Sequence, residues 1–138
     1  EYIYTGENIE VLVNGFDKST MEITGNIQKD VGLYTIIINP KVKWKDGSKT
    51  PITIKWEIKK ANPIIEVPKI SAHRGMKLKD IKLPDNFYWK NPEEVLSSNK
   101  NSFYVTYVPL DNNYNSIDIL ITIDLVVEKN NIINMCLP

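Results

Sequence analysis

The chain has 138 residues, with 17 Lys+Arg against 17 Asp+Glu, one His and one Cys. A formal net charge of +0 removes the electrostatic footprint of a nucleic-acid binder, and a single Cys leaves no intrachain disulfide framework and no Cys-based zinc site. At 42% hydrophobic and 25% charged residues the composition is that of a folded chain, long enough for one ordinary domain or two small ones.

Period-2 alternation dominates, and helical spacing is hard to find. In chain order, Ile9, Val11 and Val13 share one face of a first segment, and Met21 and Ile23 share one face of a second. Residues 33–38 are read as a continuous β-branched run, Thr35 followed by three isoleucines, suited to a central strand. Residues 52–58 are the cleanest case: Ile52, Ile54, Trp56 and Ile58 leave one face of the pleat, and Thr53, Lys55 and Glu57 the other. Asn14-Gly15, Gly25-Asn26 and Asp46-Gly47 are turn signals between these segments. The polar stretch Lys59 to Pro63 places a boundary, dividing the chain into residues 1–61 and 62–138.

The second half repeats the theme. Strands are expected at 64–67, 87–89 and 103–108, and one helical turn at 91–96 behind Pro92. The last strand puts Ile117, Ile119, Ile121 and Ile123 on one side and Asp118, Thr122 and Asp124 on the other, with Leu120 breaking the polar face. This is also the longest apolar stretch, and its aspartates keep it short of the roughly 18 residues a membrane helix needs. In both halves a strand ending at proline (Pro40, Pro109) is followed by a loop and a long alternating last strand. The reading is all-β, in two units, followed by a tail at 128–138 in which Ile132, Ile133 and Met135 either pair as a strand or stay unpaired. The chain opens on Glu1 without a leader pattern and is read as part of a longer protein.

The first half resembles the short Ig-like repeats of bacterial surface proteins. The residues that carry this are Tyr4-Thr5-Gly6, Asp30 to Thr35, and Trp56 to Ala61. The second half resembles a companion repeat, through Gly75 to Leu78, Leu83-Pro84, Phe87 to Trp89, and Tyr107 to Pro109 with Asp111, Asn113, Tyr114 and Asn115. The resemblance implies two small Ig-like β-sandwich domains in tandem. It also implies an extracellular, cell-wall-attached or secreted multidomain protein, a role in spacing or presenting neighbouring domains, and no catalytic residues.

The residues suggest little chemistry. Exposed aromatic rings stack on the C–H faces of sugars, so Trp44, Tyr88 and Tyr114 are the candidate ligand-binding residues, while Trp56, Trp89 and Tyr34 are expected in the cores. Asp111 to Asn115 spaces oxygen ligands as a calcium loop begins, but Ser116 and Thr122 stand where that loop needs Gly and Glu, so it reads as a turn and no metal site is expected. His73 falls in a loop, Glu93-Glu94 is an adjacent pair with no opposed carboxylate, and Cys136 has no partner His that the sequence can place. No nucleophile elbow, P-loop or dinucleotide fingerprint is present. The expectation is a non-enzymatic module without cofactor. Its partners would be neighbouring domains, with no nucleic acid and no membrane insertion in this segment. The alternative is a module that binds a glycan or host protein.

Overall fold

A computed structural model describes residues 1–127; the tail at 128–138, with Cys136, lies outside the described residues. Those residues form ten strands and one three-residue 3₁₀ turn, with no α-helix. They divide into two compact units, Glu1–Pro63 with Pro109–Asn115, and Ile64–Val108 with the chain from Ser116 on.

Unit 1 contains β1 (Tyr2–Ile3), β2 (Ile9–Glu10), β3 (Met21–Thr24), β4 (Ile27–Gln28), β5 (Gly32–Pro40) and β6 (Ile52–Lys59). Its main sheet has the order β1-β6-β5-β3, and β2 pairs with β4 in a second ladder. The long antiparallel pair β5/β6 sets Tyr34 opposite Trp56 and Ile36 opposite Ile54, so the alternating residues meet on one inner face. Ile36, Ile38, Trp56 and Ile58 are buried there, with Ile9, Val11, Val13 and Phe16 packed against them. The expected strand at 9–13 is therefore only partly a strand. Ile9 and Glu10 pair with Gln28 and Ile27, and Val11 N–H then donates to Asn26 O at 2.8 Å before the Asn14-Gly15 turn. Val11 and Val13 keep their core contacts without a ladder.

Gly25 makes this packing possible. Its φ is +79°, and its carbonyl accepts the Trp56 indole N–H at 2.9 Å. The buried indole is thus satisfied by a backbone group that a tight turn would otherwise leave open. The loop 109–115 belongs to the same unit: Asn115 N–H donates to Ala61 O at 2.8 Å, and Ala61 N–H to Asn113 O at 3.0 Å.

Unit 2 contains β7 (Ile70–Ala72), a 3₁₀ turn (Leu78–Asp80), β8 (Phe87–Trp89), β9 (Ser102–Tyr107) and β10 (Ile117–Leu125), in the sheet order β7-β10-β9-β8. Phe103, Val105, Ile121 and Ile123 form the buried inner face, as the period-2 reading of both strands requires. No second sheet covers that face among the described residues. Leu78, Ile81 and Leu96 cover it instead, from the 3₁₀ turn and the loop after β8. Trp89 packs on this core and its indole N–H donates to Ile81 O at 3.0 Å, the same device as in unit 1.

Two local expectations fail here. Residues 64–67 form no strand, and the opening strand is Ile70–Ala72. Pro63 and Pro68 flank that segment, and proline removes a ladder donor and restricts the residue before it. The expected helical turn at 91–96 is also absent: Val95 bridges Lys77, while Leu78 N–H donates to Glu94 O and Leu96 N–H to Met76 O. Burying Leu96 against the sheet outweighs a short helix that would form few hydrogen bonds of its own.

Both units share one stringing rule. The first strand lies parallel beside the last (β1 beside β6, β7 beside β10), and the last pairs antiparallel with the strand before it.

Candidate functional site

The three candidate aromatics are divided between the units, Trp44 and Tyr114 in unit 1 and Tyr88 in unit 2. Trp44 belongs to the turn between β5 and β6, where its N–H donates to Ser48 O and its carbonyl accepts from Gly47 N–H. Its ring is half-buried against the core of unit 1, and its indole N–H is held by Thr50 O at 2.7 Å. Tyr114, also in unit 1, is half-buried and meets Tyr4 edge-to-face, with ring centroids 5.5 Å apart at 84°. Burial raises the Tyr4 phenol above its ordinary pKa, and the nearby Asp111 charge adds to this. Both rings therefore contribute to the packing of unit 1. Tyr88 belongs to unit 2 and is 58% exposed.

On the outer face of the unit 2 sheet, Tyr88 has company that the sequence reading did not single out as a site. It stands opposite Thr106, and Tyr104 stands opposite Leu120. Tyr104 is 55% and Leu120 52% exposed. Parity along β8, β9 and β10 would have found this set, since all three residues alternate with buried or half-buried ones. The face is bordered by an ion pair. Lys90 Nζ meets Asp118 Oδ2 at 2.6 Å, and Thr106 Oγ1 donates to Asp118 Oδ1 at 2.7 Å.

The Lys90 hydrogen bond, supported by that from Thr106, holds the Asp118 carboxyl below its ordinary pKa. A carboxylate with a depressed folded pKa contributes stability above its unfolded pKa and loses it as pH falls through the folded value. Both groups are exposed, so the effect on stability is small. The titration itself is measurable: by carboxyl-detected NMR, Asp118 should titrate below the usual aspartate midpoint and move upward in Lys90→Gln. An unmoved midpoint would rule out Lys90 as the cause.

The polar residues weighed in the sequence take part in local structure. Glu93 receives Lys77 and Lys79, each at 3.1 Å, and the Lys79 and Lys77 hydrogen bonds hold its carboxyl below the ordinary value. Glu94 pairs with Lys100 at 2.5 Å. In the 111–115 loop, Asp111 Oδ1 accepts from Asn113 N–H, and Asn113 Oδ1 accepts from Val31 N–H, each at 2.9 Å. His73 lies at the start of a turn, its carbonyl accepting from Met76 N–H. Among the described residues no polar or charged side chain is buried, and no cluster of three His, Cys, Asp or Glu could hold a metal ion. No helix there is long and apolar enough to cross a membrane. A surface groove in unit 1 is lined by Leu33, Glu57, Lys59, Lys60 and Asn115, and none of the candidate aromatics enters it. Comparison with protein-family models, curated proteins and solved structures returned no match.

Proposed function

We propose that this chain is a non-enzymatic pair of Ig-like modules from a bacterial surface or secreted protein, serving to space or present neighbouring domains. The observation that carries the reading is the strand order of unit 1. Its sheet neighbours β3-β5-β6 and the separate β2-β4 ladder are the pairings that the C-F-G and B-E strands of an Ig-like sandwich would make, with β1 beside the last strand, which supports the reading. Unit 2 supports it through the same first-beside-last arrangement, although loops rather than a second sheet close its core. The polar side chains serve turns, ladders and surface pairs, which suits a module whose work is to hold its shape.

A second reading is favoured by one observation, the exposed Tyr88, Tyr104 and Leu120 on the outer face of unit 2. It is a glycan- or protein-binding face, with the tyrosine rings as platforms. Titration of the intact chain with a panel of bacterial and host polysaccharides separates the two readings. Tyrosine and tryptophan fluorescence, together with the amide resonances of β8 and β9, should stay unchanged under the spacer reading. A saturable shift that is lost in Tyr88→Ala and Tyr104→Ala would replace it with the binding reading.

A further inference from the structure

We propose that each unit is built as a tension-bearing clamp, and that under load from the chain ends unit 1 yields before unit 2. The inference deepens the spacer reading and rests on it for its biological purpose; the clamp itself follows from strand direction. On its first pass through unit 1, before it returns as the loop 109–115, the chain enters through β1 and leaves through β6, and these two strands lie side by side and parallel, with Tyr2 opposite Ile58 and Ile3 opposite Lys59. Tension pulls β1 toward its N-terminal end and β6 toward its C-terminal end, so the strands are drawn past one another. Their hydrogen bonds run laterally between the strands and are loaded together. An antiparallel first and last strand would instead be unzipped one bond at a time.

The surrounding residues reinforce the same seam. Tyr4 N–H donates to Lys59 O at 2.9 Å, Glu1 pairs with Lys59 at 2.6 Å, and Tyr2 meets Trp56 edge-to-face at 5.6 Å. In unit 2, β7 lies parallel to β10 through Ile70 and Ile123, Ser71 and Asp124, and Ala72 and Leu125, and Val126 N–H extends the seam to Ala72 O at 2.9 Å.

The two seams differ in length and shielding. Unit 1 has two residue pairs and unit 2 has three. Tyr2 and Ile3 are 37% and 61% exposed, whereas Ile70 and Ala72 are 7% and 5% exposed. Water reaches the bonds of the first seam more readily and can replace them as they stretch, and less apolar surface anchors its strand. Unit 1 is therefore the earlier to yield.

The test is single-molecule extension of the full chain in two geometries, on a Cys136→Ser background. In one, handles are fixed at the two chain ends. In the other, the second handle moves to Lys49→Cys, in the loop before β6, so that β1 and β6 are both pulled from their N-terminal ends and peel apart. Unit 1 should open at a clearly lower force in the peeling geometry. With end handles, Tyr4→Pro should speed the first opening about fivefold relative to Tyr4→Ala, which loses the same ring but keeps the backbone hydrogen bond of the seam. Gly15→Ala weakens unit 1 outside the seam and should leave that rate unchanged. Equal forces in the two geometries, or equal acceleration by Gly15→Ala, would overturn the clamp. If Val126→Pro rather than Tyr4→Pro accelerates the first event, the order of yielding is wrong. A failed clamp with a flat polysaccharide titration leaves an unloaded spacer standing, whereas a saturable titration removes the spacer reading without touching the force result.

Discussion

Gly25→Ala is expected to destabilise unit 1 by about 3 kcal/mol or more, a large share of what a small domain has to lose. Two costs act together. Gly25 has φ +79°, where a side chain is strained, and an added Cβ would lie 2.1 Å from the Thr35 carbonyl oxygen on β5. Thr35 is backbone in the central ladder, opposite Lys55, so relief of the clash displaces the sheet or the Gly25 turn. Either movement breaks the Trp56 indole bond to Gly25 O. Gly15→Ala is the matched control, because Gly15 has φ +85° but nothing within 4 Å of its would-be Cβ. That variant should cost only about 1 kcal/mol. Urea titration followed by the indole N–H resonance of Trp56 reads both. Equal midpoints for the two variants would show that the close approach to Thr35 carries no energy.

Phe103→Ala is the corresponding test in unit 2, with an expected loss of about 3–5 kcal/mol. Phe103 is 2% exposed, on the inner face of β9, and is among the largest fully enclosed side chains of the described residues. Trp89 stands edge-on to it at 6.4 Å, so truncation removes both packing volume and a ring partner. Lys100 Nζ lies over the same ring at 5.5 Å, on an exposed side chain, and adds little by comparison. The indole N–H resonance of Trp89, bonded to Ile81 O, should disappear at a much lower urea concentration than in the parent chain. A Trp89 midpoint within error of the parent would mean that the loops covering this face can collapse into the cavity.

The sequence by itself determined the strands whose burial is periodic over many residues. Ile52–Lys59, Ser102–Tyr107 and Ile117–Leu125 are strands because their alternating side chains leave one consistent apolar face, and Gly32–Pro40 carries the run of isoleucines that suits a central strand; neither pattern needs knowledge of the neighbour. The core positions of Trp56 and the alternate isoleucines were legible for the same reason, as were the turns at Asn14-Gly15 and Asp46-Gly47. The short elements were not legible. β1, β4 and β7 have two or three residues each, too few to show a period; β1 and β7 are strands because a longer strand offers them an edge, and β4 because it pairs with the equally short β2. The covering of unit 2 was hidden likewise: Leu78, Ile81 and Leu96 carry no shared spacing, and they become core only when the 3₁₀ turn and the loop after β8 fold over the sheet. For the candidate aromatics, residue type could not decide between packing and display. Trp44 and Tyr114 are committed to unit 1 by neighbours distant in sequence or bonded through a turn, and Tyr88 is left outward beside Tyr104 by the parity of its strand. The parallel placing of first and last strands, on which the response to load depends, also came from tertiary structure alone, because strand direction within a sheet leaves no trace in the alternation of a strand.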